Sequence, residues 1–140
     1  MMRGIAFLMV VGFLLLAVPV LGAEPEKEAA AVAAAETWLG MVDQGDYAGS
    51  WREAAEYFKN SLSQGQWDQA LQAARKPLGK LVSRTVKTKT YATSLPGAPD
   101  GEYVVIEFQT SFENKKAAIE TVTPMMDKDG KWRVSGYFIR

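Results

Sequence analysis

The C-terminal stretch Glu102–Arg140, EYVVIEFQTSFENKKAAIETVTPMMDKDGKWRVSGYFIR, carries three apolar runs separated by two short polar turns. Period-two patterning marks EYVVIEFQTSFE as a strand, KKAAIETVTPMM as its neighbour and KWRVSGYFIR as the last strand. With Asn114 and Lys115 as the first loop, Glu113 faces Lys116, Phe112 faces Ala117, Thr110 faces Ile119, Phe108 faces Thr121 and Val104 faces Met125. One face then collects Val104, Ile106, Phe108, Phe112, Ile119 and Met125. Setting Trp132 opposite Met125 adds Val134, Gly136 and Phe138 to it. A one-residue slip would scatter that set, so this register is the expected one. Pro124 has no N–H to give to a central strand, which predicts a bulge there.

Upstream, LVSRTVKTKTYAT is rich in β-branched residues but alternates poorly, so it reads as a strand without a clear buried face. The connection TSLPGAPDGEYVV, Thr93–Val105, holds Pro96-Gly97 and Asp100-Gly101, each suited to a tight turn. Turn chemistry accounts for this composition, and a position over the rim of the sheet would let the loop lip a binding site.

Before Pro77 the apolar period is 3.6. Ala31, Val32, Ala35, Trp38, Leu39 and Val42 form one stripe, with Gly45 as its stop. Asp46 suits the N-cap of a second helix, along which Tyr47, Trp51, Ala54 and Phe58 share a face. Ser63 and Gln66 fit a capping box for a third, with Trp67, Ala70, Leu71 and Ala74 as its buried stripe. The expected architecture is α+β, three helices followed by a curved four-stranded antiparallel meander that they cover.

At 140 residues the chain holds one domain, with 16 basic and 16 acidic residues. That balance argues against a nucleic-acid groove or a polybasic membrane patch. Residues 1–23 set Arg3 before an uninterrupted apolar run, Ile5 to Leu21, ending in small residues. This is the layout of an export signal cleaved after Gly22 or Ala23, or of an uncleaved anchor. A periplasmic or secreted location, or an inner-membrane anchor facing the periplasm, is therefore expected. Residues 24–28 read as a charged tether and 29–140 as the domain.

The chain has no Cys and no His. Disulfides, thiolate nucleophiles, His-based triads and His–Cys metal sites are excluded, and neither a metal nor a cofactor is expected. Asp127-Lys128-Asp129-Gly130 fails as a calcium loop, because Met125 and Gly136 would stand at the first and twelfth ligand positions. Carboxylate acid–base chemistry needs a buried carboxylate facing a cavity. In the expected register Glu107, Glu113 and Glu120 point away from the helices, leaving Thr110, Thr121 and Thr123 as the polar strand groups that face them. Asp43, Asp46 and Glu56 lie on helices or their ends, and Asp46 is explained as a cap.

Candidates for lining a ligand cavity are Trp38, Trp51, Tyr57, Phe108, Thr110, Thr121 and Trp132, against a bland reading in which the aromatics simply pack. Tyr103, Val105, Val122 and Met126 form an outer-face apolar cluster, a candidate homodimer contact or a patch covered by the tether or a loop. The expected role is non-catalytic binding of a small apolar ligand or a protein partner. The alternatives are a small isomerase, dehydratase or hydrolase using a helix-borne carboxylate with Tyr57 or Thr110, and a structural accessory of an envelope assembly.

The run from Thr93 to Arg140, with AAETWLGMVDQGDYAGSW, SQGQWDQAL and RKPLGKLVSR, resembles the bacterial domain-of-unknown-function family numbered 4019 over nearly all of the mature chain. Such proteins look like members of the cone-shaped α+β superfamily typified by nuclear transport factor 2 and ketosteroid isomerase. The resemblance implies helices closing over a curved sheet, and it carries no activity of its own, since that superfamily mixes enzymes with binding domains. The isomerase branch's carboxylate base and Tyr-containing oxyanion site have no matching positions here.

Overall fold

The computed structural model describes residues 24–140; the stretch 1–23, expected from its sequence to be an export signal or anchor, lies outside them. The elements are α1 (Pro25–Asp43), α2 (Tyr47–Arg52), α3 (Glu56–Ser61), α4 (Gln64–Ala74), a 3₁₀ turn (Lys76–Leu78), β1 (Leu81–Ala92), β2 (Tyr103–Phe112), β3 (Lys115–Met126) and β4 (Trp132–Ile139). The strands form one open antiparallel meander, ordered β1-β2-β3-β4, with α1 lying against all four. The α+β expectation of helices on a four-stranded meander holds.

The first helix takes in the expected tether. Pro25 occupies its first turn, where the missing N–H costs nothing, and Ala31, Ala35, Trp38, Leu39 and Val42 form its buried stripe. Gly45, at φ 82°, reverses the chain. Asp46 then caps α2 by accepting from the Gly49 N–H at 2.9 Å. A Cβ on Gly49 would sit 2.2 Å from Asp46 Oδ2, so a larger residue there would require the capping carboxylate to shift.

The expected second helix is two helices. Ala54 and Ala55 are fully buried at the break. The Ala55 N–H donates to the Val134 carbonyl of β4 at 2.8 Å, so the backbone here joins the sheet instead of continuing the helix. The third expected helix, now α4, starts on the predicted capping box of Ser63 and Gln66.

The β2–β3 register differs from the expected one. Glu113 and Asn114 form the loop, because their N–H groups donate to the carbonyls of Lys80 and Leu78. Phe112 pairs with Lys115, and after a bulge Thr110 pairs with Ala118, Phe108 with Glu120 and Ile106 with Val122. Relative to the expectation, β3 turns over. Ala118, Glu120, Val122 and Pro124 face the helices, whereas Ile119, Thr121, Thr123 and Met125 face out.

The bulge predicted at Pro124 is present, as a register shift between Thr123 and Pro124 opposite β4. It leaves Val134 in the core and turns Tyr137 inward after it, so Phe138, expected inside, is 55% exposed. The β2 face was read correctly. Val104, Ile106, Phe108 and Phe112 are all fully buried, each contributing about 1.5–3 kcal/mol by burial.

Candidate functional site

The interior holds a charged cluster drawn from all four strands, the end of α1 and the end of α4. Glu120 on β3 is fully buried, and its Oε1 accepts from Arg84 Nε of β1 and from the Thr110 hydroxyl of β2, both at 2.7 Å. Oε2 accepts from Arg84 Nη2 at 3.2 Å and from the Tyr137 hydroxyl of β4. Arg84 reaches on to Asp43, at the end of α1, through Nη1 at 2.8 Å and Nη2 at 2.9 Å. Arg75 closes the cluster, giving Nη2 to Asp43 at 3.2 Å and Nη1 to the Gly79 carbonyl at 2.7 Å. Its guanidinium lies 4.4 Å from the centre of the Phe112 ring.

Two carboxylates balance two guanidiniums in this cluster, the arrangement that makes buried charge tolerable. Burial works to discharge Arg84, but the hydrogen bonds to Asp43 and Glu120 outweigh it and hold its pKa above the ordinary arginine value. Burial, reinforced by the Glu120 charge, pushes the Tyr137 phenol well above the usual tyrosine value. A carboxylate offers about four acceptor positions, and four donors fill those of Glu120. The group therefore has no free lone pair with which to take a substrate proton. Its chemistry is that of a lock between the helices and all four strands.

Sequence reasoning missed this cluster because the one-residue difference in β3 had turned Glu120 outward. Arg84 is one of three basic residues in β1, and its pairing with Thr110 sets it on the helix-facing side.

Beside the cluster the interior is filled by aromatic rings. Trp38 lies 5.9 Å from Trp67 and 5.3 Å from Tyr137, and Phe58 meets Trp67 edge-on at 5.0 Å. Ser50 satisfies both indoles, accepting from Trp38 Nε1 at its carbonyl (2.8 Å) and from Trp67 Nε1 at its hydroxyl (2.9 Å).

The cavity candidates are accordingly dispersed. Phe108 is core and Thr110 belongs to the Glu120 lock. Thr121 is corrected to the outer face, paired with Glu107 and Phe138. Trp51 is half-buried and donates to the Leu62 carbonyl at 2.8 Å. Of the seven, Trp38 and Trp132 share a space, and Tyr57 lies in another.

The outer-face cluster also dissolves. Val122 is fully buried in the core, and Met126, paired with Trp132, has moved to the helix side with the rest of β3. Tyr103 does lie on the outer face, but it is 1% exposed and donates its hydroxyl to the Pro99 carbonyl of its own loop. Val105 remains there, half-buried beside Thr90.

Unfilled space lies at the surface. A cleft of about 360 Å³ between α1 and β4 is floored by Trp38, Met41, Trp132 and Val134, with Glu53 and Lys131 at its rim. A second, of about 380 Å³, is lined by Tyr57, Pro99, Gly101, Met125 and Met126. The Thr93–Glu102 loop forms one of its walls. Gly97 at φ 78° makes the expected Pro96–Gly97 turn, and the Tyr57 hydroxyl donates to the Gly97 carbonyl at 3.1 Å. A third cleft of about 300 Å³ lies at the β3–β4 turn among charged side chains. There Arg133 donates to Asp129 at 2.8 Å, holding that carboxyl down at about 2. Among the described residues no group of His, Cys, Asp and Glu has the arrangement of a metal site, and no helix is long and apolar enough to cross a membrane.

An open α+β sandwich with an ion-paired interior, three adjoining clefts around the β3–β4 turn and a fourth of about 270 Å³ beside Asp43 and Arg75 defines a small helix-on-meander domain. Residues 34–137 match the family described as "Protein of unknown function (DUF4019)", and the chain belongs to that family. No curated protein and no solved structure matches the sequence.

Proposed function

We propose that this chain is an exported, non-catalytic binding domain that takes an apolar group of a partner or ligand at its surface, in the cleft between α1 and β4. The observation that carries this reading is that Trp38 and Trp132 both line that cleft, beside an interior whose space is filled by rings. The cleft is open along one side, which suits a protein partner's side chain better than a small molecule needing enclosure. Export rests on the apolar run Ile5–Leu21 behind Arg3. We infer kinship with the cone-shaped superfamily of nuclear transport factor 2 and ketosteroid isomerase from helices stacked on one face of a meander. The saturated Glu120 favours its non-catalytic branch.

The test is fluorescence titration with N-acetyl-leucinamide. Weak saturable binding that is lost in Trp132→Ala, with far-ultraviolet circular dichroism unchanged, supports the reading. Equal response in the variant refutes the site.

A further inference from the structure

The three clefts adjoin. Glu53 and Arg133 border both the Trp38–Trp132 cleft and the charged one, while Glu56, Asp127 and Lys128 border both the charged one and the Tyr57–Met126 cleft. They make one groove, running from α1 past the β3–β4 turn to the Thr93–Glu102 loop. We propose that this groove seats an extended segment of a partner protein, with a large apolar side chain near each end and polar residues between. The proposal rests on the surface-binding reading above and names the occupant.

Chemistry along the groove sets the order of groups in that segment. One end offers the half-buried Trp132 indole next to the buried Trp38, and the other two thioethers with a phenol, the latter a soft surface that adapts to different apolar side chains. Four basic and four acidic side chains line the middle, and they are largely paired with one another: Lys128 with Glu56 at 3.3 Å, Arg133 with Asp129 at 2.8 Å and with Asp127 at 3.4 Å. With no net charge, that middle attracts neither a polyanion nor a polycation and accepts neutral polar chain.

The loop end differs. Asp100 has no salt-bridge partner among the described residues, so it favours a Lys or Arg next to the apolar anchor seated there. Each cleft alone is at the small end of what encloses a ligand, but two apolar anchors on one chain bind with a high effective concentration of the second.

The test uses capped synthetic peptides carrying two leucines joined by Gly/Ser spacers of roughly two to six residues, which span about 7–20 Å when extended. A lysine follows the second leucine, and binding is measured by calorimetry and by amide chemical shifts. The expected result is one optimal spacer whose peptide binds at least about tenfold tighter than a single-leucine peptide. That gain disappears in Trp132→Ala and in Met126→Ala, while Asp100→Asn weakens only the lysine-bearing peptides. If single-leucine peptides bind at Trp132 but no spacer improves on them, the groove proposal falls and the surface-binding reading stands. Absence of binding by any peptide overturns both. A peptide-independent dimer by sedimentation, with amide shifts along the groove, overturns the partner segment in favour of a second copy of the chain.

Discussion

Glu120 and Arg84, 36 residues apart in sequence, meet through hydrogen bonds of 2.7 and 3.2 Å beneath α1. This contact joins the edge strand to the third strand on the helix side of the sheet, and Asp43 extends it to the end of the helix. An isolated carboxylate in that position would be a candidate general base. Saturated by Arg84, Thr110 and Tyr137, it holds structure together instead.

Breaking the lock on one side is therefore expected to cost stability heavily. Glu120→Gln leaves the Arg84 charge short of a partner, at about 3–5 kcal/mol in urea unfolding. Arg84→Met combined with Glu120→Leu leaves the Asp43–Arg75 pair intact and recovers part of that loss. A Glu120→Gln protein within about 0.5 kcal/mol of the parent would contradict the structural role.

Ser50 serves two tryptophans and donates its own hydroxyl to the Tyr47 carbonyl at 2.7 Å. Ser50→Ala strands the buried Trp67 N–H, and the expected loss is about 1–3 kcal/mol. Thermal unfolding followed by tryptophan fluorescence measures it.

Alkaline pH provides a second probe of the same interior. The Tyr137 phenol is raised above its unfolded value of 10.0, first by burial and then by Glu120. The folded protein thus binds this proton more tightly than the unfolded chain does. The stabilisation is complete below pH about 10 and declines above it, as the unfolded phenol ionises and the folded one does not. Absorbance at 295 nm should show a tyrosine that titrates only together with unfolding, and Tyr137→Phe should abolish that component.

Removing the α4 capping box is a milder change. Ser63→Ala deprives the Gln66 N–H of its acceptor, and about 1 kcal/mol is the expected cost in urea.

The sequence was most legible where local chemistry decides structure. The Asp46 cap, the Ser63–Gln66 box, the Pro124 bulge and the β2 face all follow from short-range rules. It was least legible where distant backbone sets the geometry. The Glu113–Asn114 loop is fixed by carbonyls of Lys80 and Leu78 across the domain, and the α2–α3 break is fixed by Val134. A single residue of register in β3 then decided whether Glu120, Val122 and Thr121 pointed inward or outward, and most of the candidate-site reading depended on it. Trp38 and Trp132 share a cleft because α1 crosses the start of β4, a tertiary relation that no spacing in the sequence encodes.

The central claim is that the ring-packed interior around Trp67 takes no ligand and that binding occurs in the cleft between α1 and β4. Its most direct test is the set of four indole N–H resonances during titration with N-acetyl-leucinamide. The account predicts that the Trp132 signal moves first and saturates, with Trp67 unshifted. A Trp67 signal that moves ahead of Trp132 would show a ligand entering the core and contradict it.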